Sequence, residues 1–148
     1  MADSLAFTSA GTKIYASASA PATFTTGGFG ALSWTEIKEI SDIGTFGKKY
    51  NLVKFNPIGD RKTVKRKGSY DNGNLNLKMA RAPADPGQAL LLVGLDTDLS
   101  YSFKVVLQDG SISYFQAQIL ASPTNIGSVD SITMFECEIE VTTEILTA

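Results

Sequence analysis

The sequence has no histidine and a single cysteine, and these two shortages remove much of the chemistry that a domain of this size could carry. Without imidazole there is no histidine-based catalytic triad, no histidine metal site, and no side chain with an ordinary pKa between roughly 5 and 8. The lone Cys137 excludes an internal disulfide and a thiolate metal cage, and its place in an alternating apolar pattern points to a buried thiol in a reducing compartment. Long hydrophobic runs are missing too, since the longest fully apolar one, Ala89 to Val93, is far short of a membrane span. No basic segment leading into an apolar run opens the chain, so the expectation is a soluble protein made inside the cell, with no membrane partner.

Cofactor signatures are equally sparse. Gly44 to Lys48 lacks both the four-residue gap and the hydroxyl of a phosphate-binding loop. Asp96-x-Asp98-x-Ser100 starts like a calcium loop, but Tyr101 stands where glycine is needed and Leu107 where the closing glutamate belongs. Glu136, Glu138 and Glu140 are the densest carboxylates, about 7 Å apart along one strand face. They could serve as acid and base only with a nucleophile or cofactor site, and the sequence offers none. The expectation is therefore no cofactor, no metal and no enzyme.

What the chain does contain is apolar material for one core: 148 residues, 43% hydrophobic, read as a single domain over 1–148. Strands are expected at 11–16, at 48–55, at 74–81 with Leu75, Leu77 and Met79 on one face, and at 101–107. SISYFQAQIL returns from the Asp109-Gly110 turn as a hairpin arm, and Phe135, Cys137, Ile139 and Val141 alternate with the three glutamates. LSWTEIKEISDI is read as a further strand with a bulge near Glu36. Asp85, Pro86 and Gln88 begin the one convincing helix, at about 85–96. The fold class expected is mainly β: seven or eight strands in a two-sheet β-sandwich with that helix flanking it. Segments 1–10, 16–30 and 56–73 are expected to be flexible or extended.

Charge is distributed unevenly. Residues 1–82 hold 12 Lys/Arg against 6 Asp/Glu, whereas 83–148 hold 1 against 9, so the halves carry opposite signs. The basic excess is concentrated in NPIGDRKTVKRKGSYDNG, residues 56–73, a long hairpin or loop bounded by turn chemistry and carrying Arg61, Lys62, Lys65, Arg66 and Lys67. Three uses fit it: a solvated hairpin tip, a contact to an acidic protein surface, or a nucleic-acid patch. Only Tyr70 stands near enough to stack on a base, and no aromatic interleaves the charges as single-strand binders require.

The blocks GTKIYASASAPATF, ALSWTEIKEISDIGTFGKKYNLVKFNPIGDRKTVKRKGSYDNGNLNL and SYSFKVVLQDGSISYFQAQI with GSVDSIT together resemble the major tail tube protein of long-tailed, siphovirus-type bacteriophages. The resemblance runs from about Gly11 to Val141, and Trp34 to Gly73 is its most specific part. It implies a structural virion protein, made in the bacterial cytoplasm, that self-assembles into hexameric rings. Stacked rings form the hollow tail tube through which phage DNA is ejected. Further implied partners are the tape measure protein, the tail terminator and tail tip proteins, with DNA passing through without specific binding. On this reading Arg61, Lys62, Lys65, Arg66, Lys67 and Tyr70 belong to a subunit or ring–ring interface. Glu136, Glu138 and Glu140 form an acidic ladder facing either the lumen or the basic arm of a neighbour. The alternatives are a tail terminator or connector ring protein, or a basic-loop nucleic-acid-binding domain.

Overall fold

The computed structural model describes residues 6–148; the expectation for 1–10 falls partly on residues 1–5, which lie outside the described residues. Eleven strands and two helices follow in the order β1 (Lys13–Ser17), α1 (Thr26–Gly30), β2 (Thr35–Ile37), β3 (Ile40–Asp42), β4 (Lys49–Phe55), β5 (Val64–Asp71), β6 (Asn74–Ala80), α2 (Pro86–Leu95), β7 (Tyr101–Val106), β8 (Ile112–Ala121), β9 (Thr124–Asn125), β10 (Met134–Val141) and β11 (Leu146–Thr147). Among the described residues no helix is long and apolar enough to cross a membrane.

All but two of the strands belong to one antiparallel sheet with the path β2-β1-β7-β8-β10-β6-β3, to which β9 and β11 add short pairings. Its two end strands, β2 and β3, are separated in sequence only by Lys38 and Glu39. Covalent continuity between opposite ends of the path curls the sheet back on itself. In place of the expected two packed sheets there is therefore a single curled one, with β4 and β5 standing apart as a separate two-stranded sheet. The alternation that suggested a sandwich is real, but a curled sheet also needs one apolar face and one wet one.

That apolar face is shared in register. Ile14 lies opposite Val105, Ala16 opposite Phe103, Phe103 opposite Phe115, Ile139 opposite both Ile119 and Leu75, and Cys137 opposite Leu77. These side chains are buried in one continuous core. Helix α2 closes it. Asp85 caps the helix by accepting from the Gln88 amide at 3.2 Å, Pro86 supplies the first turn, and Leu91 is fully buried. Two glycines let α2 lie close: a Cβ at Gly87 would stand 2.7 Å from the Ile37 Cα, and one at Gly94 would stand 2.9 Å from the Tyr101 ring.

The expected strand at 32–43 is broken in two. Its break has a local cause in hydrogen bonding: the Lys38 amide donates to Asp85 Oδ2 at 3.1 Å, the Lys38 carbonyl accepts from Gln88 Nε2 at 3.2 Å, and the Glu39 carbonyl accepts from Ala80 N at 2.9 Å. The backbone is thus satisfied by the helix start and β6 instead of a continued ladder, and Glu39 turns through φ +63° to allow it.

A smaller aromatic layer covers the outer face of β1, β7 and β8. Phe29 of α1 is fully buried and stacks on Tyr114 at 5.4 Å, Trp34 donates its indole N–H to the Phe29 carbonyl at 3.1 Å, and Lys104 stands 4.4 Å from the Tyr15 ring. Burial holds the Lys104 ammonium below its usual pKa. Segment 16–30 is thereby seated on the sheet, by the pairing of Ala16 and Ser17 with β7, by the Ser102 hydroxyl that donates to the Ser19 carbonyl at 2.7 Å, and by Phe29.

Candidate assembly surface

β4 and β5 form an arm that begins at Gly47 and returns at Asn72. Its tip is a turn in which the Asp60 amide donates to the Pro57 carbonyl at 3.3 Å and the Lys62 amide donates to Asp60 Oδ1 at 3.2 Å. The register pairs Tyr50 with Tyr70, Leu52 with Lys67, Val53 with Arg66, Lys54 with Lys65 and Phe55 with Val64, with an irregularity between Tyr50 and Leu52. Cross-strand partners share a face. One face therefore carries Lys54, Lys65 and Lys67 together with Leu52, and the other carries Val53, Phe55, Val64 and Arg66. Every residue of β4 is exposed, and Phe55 and the tip residue Ile58 are 64% and 108% exposed.

Among the described residues, the polar contacts that tie the arm to the body gather at its root. Tyr70 donates its hydroxyl hydrogen to Glu144, Lys48 Nζ stands 3.5 Å from the same carboxylate, and Asn72 Nδ2 donates to the Thr143 carbonyl at 3.0 Å. Lys48 also lies 4.4 Å from the Tyr70 ring, and Lys67 lies 4.9 Å from Tyr50. The Tyr70 hydrogen bond holds the Glu144 carboxyl below the usual carboxylate range and, in return, raises the Tyr70 phenol.

The residues singled out from the sequence are therefore distributed as follows. Arg61 and Lys62 occupy the tip; Lys65 and Lys67 share the basic face; Arg66 lies on the apolar face and curls its guanidinium onto the Lys65 carbonyl at 2.8 Å. Tyr70 is engaged with Glu144 at the root. Glu136, Glu138 and Glu140 lie on the outward side of β10, half-buried, opposite Lys78, Asn76 and Asn74 of β6. Glu138 accepts from Asn74 Nδ2 at 3.4 Å. The glutamate ladder and the basic arm are on different elements, and among the described residues no hydrogen bond or ion pair joins them within the subunit.

Sequence reasoning missed Glu144 and Lys48, which are isolated charges whose pairing depends on the fold. It also missed the arm's apolar face, although the side-by-side Leu52 and Val53 were a signal: adjacent strand residues point to opposite faces, so one of the two had to lie outside any single core.

No protein-family profile matches the chain, and no curated protein sequence matches it. Solved structures do. A chain from the PVC sheath/tube terminator of an extracellular contractile injection system, in its extended state, is similar over 99% of both chains, with a TM-score of 0.70 and 9% identity. The SPP1 tail tube protein is similar over 92% of this chain and 75% of that one, with a TM-score of 0.66 and 14% identity. The tube-terminating cap of the anti-feeding prophage covers all of this chain and 94% of its own, at a TM-score of 0.65 and 7% identity. At these identities the likeness establishes that the curled sheet, its helix and its overall plan are the fold of tail tube and tube-terminator proteins.

Proposed function

We propose that this protein is a structural subunit of a phage-type tail tube, in which copies close into hexameric rings that stack around a lumen for DNA. One observation carries the reading: a fold shared along nearly the whole chain with tail tube and terminator proteins bears an arm that projects its apolar and basic faces with no core of its own to cover. Such an arm is stable only as part of something larger, because a lone two-stranded hairpin is marginal in water. The opposite charges of the two halves favour head-to-tail contacts, which propagate when they do not close. The glutamate ladder on the outward face of β10 suits a lumen that repels phosphate or a seat for a neighbour's basic face. The sequence resemblance favours a siphovirus-type tube, with tape measure, terminator and tail tip proteins as partners.

The terminator is the second reading, favoured by near-complete mutual coverage with the PVC terminator chain against 75% of the SPP1 protein. Electron microscopy of the purified protein separates the two. Long hollow tubes are expected; discrete single rings would assign the terminator role. Monomers that bind DNA with a steep salt dependence would replace both with a nucleic-acid-binding domain.

A further inference from the structure

We propose that the groove at the foot of the arm is the seat for the arm tip of a second copy, with Ile58 as the inserted side chain. This inference rests on the ring-and-stack reading above and names the contact that would build it. The groove, of about 390 Å³, has an apolar wall of Ile40, Ile43, Phe46, Val105 and Leu107, and its remaining side chains, Asp42 among them, are polar. Of these, Ile40, Ile43, Phe46 and Leu107 are only partly covered although they pack on the core. Ile58 is the opposite shape: an isoleucine with no cover at all, held out by a turn between Pro57 and Gly59. An exposed apolar side chain and a recess whose apolar wall is only partly covered favour burial of one against the other.

Charge agrees with shape. Asp60, Arg61 and Lys62 follow Ile58, and Lys54 and Lys65 lie farther along the arm, so the tip region is net positive, whereas the charged residue of the groove lining is Asp42. The same subunit does not fill its own groove. Phe46 lines the groove, strand β4 starts three residues later, and its seven residues carry the tip about 23 Å farther along. No arm residue lines the groove. Knob and recess therefore lie on separate parts of one subunit, which makes the contact heterologous and able to close a ring or extend a stack.

The test mixes two variants of the full chain, Gly59→Cys, which leaves Ile58 in place, and Ser41→Cys, with a short bis-maleimide; the native Cys137 is fully buried and does not compete. A covalent pair formed in at least tenfold greater yield in the mixture than in either variant alone supports the seat. Circular dichroism of both variants checks that the body is folded. Normal tubes or rings from the mixture without that cross-link overturn the seat while leaving the ring-and-stack reading in place. A cross-linked pair in protein that makes neither tubes nor rings supports the seat and removes the ring-and-stack reading. Monomers with no cross-link overturn both.

Discussion

Tyr70 and Glu144, 74 residues apart in sequence, are joined by a hydrogen bond from the phenol to the carboxylate, and this ties the root of the arm to the connection between β10 and β11. The arm makes its pairing energy internally, so its direction relative to the body depends on this small cluster. The tie has a pH window that follows from the two shifts. Glu144 has a lowered pKa in the fold, so its contribution is present above the ordinary carboxylate value and is lost as pH falls through the lowered one. Tyr70 has a raised pKa, so its contribution is present below the ordinary phenol value and is lost as pH rises through the raised one. Amide exchange in β4 and β5, corrected for intrinsic rates and compared with β10, is expected to stay constant through the neutral range and to quicken at both extremes. Glu144→Gln is expected to quicken it at neutral pH with little change in global stability. Unchanged exchange in that variant would remove the tie.

Reversal of Lys65, Arg66 and Lys67 to glutamate in one variant is expected to abolish assembly while the monomer remains folded. All three side chains are exposed, and they belong to the arm, outside the core cluster. Surface changes of this kind shift stability by about 0.5 kcal/mol each at most. Thermal unfolding of the monomer should therefore hardly move, while sedimentation shows the loss of large species. Tubes of normal length from this variant would place the basic residues outside the interfaces.

How much of this was legible in the sequence depended on how local the cause was. Asp85, Pro86 and Gln88 announced α2 because capping chemistry acts within one turn, and the 2-residue alternation of Leu75-Leu77-Met79 and Phe135-Cys137-Ile139 announced two buried strands. The break at Lys38–Glu39 was not legible, since its partners Asp85 and Gln88 are 47 and 50 residues away. Nor was β5, whose sequence VKRKGSYD has no apolar alternation and is a strand because β4 pairs with it. The basic side chains of the candidate site could be named from the sequence. Their division between two faces could not, because it is set by the register of that pairing. Sheet curl belongs to the same class, since strand order is decided by contacts far apart along the chain.

The two glycines of α2 are expected to differ in what they tolerate. Alanine at Gly87 would press on the backbone of β2, at the Ile37 Cα, and backbone there is held by the paired strand β1. Alanine at Gly94 meets the Ile119 side chain and the Tyr101 ring, which can turn, and it gains about 1 kcal/mol of helix propensity. Gly87→Ala should therefore cost about 2 kcal/mol, in the range of overpacked cores, and Gly94→Ala clearly less. Urea denaturation of the two variants measures the difference, and equal costs would mean that α2 can slide away from β2.

Phe29→Ala tests whether the outer aromatic layer contributes to the fold. Phe29 is fully buried, stacks on Tyr114 and touches Phe24 edge-on with ring centres 5.4 Å apart. Truncating a buried phenylalanine costs about 3 kcal/mol where the site does not collapse. Trp34 is the sole tryptophan and bonds to the carbonyl of residue 29, so its fluorescence reports on this layer alone. The variant is expected to show red-shifted emission and a lower denaturation midpoint, with both probes agreeing on one transition. Red-shifted emission with an unchanged midpoint would show instead that the stretch 18–30, beyond β1, detaches separately, and that the curled sheet and α2 hold the core without it.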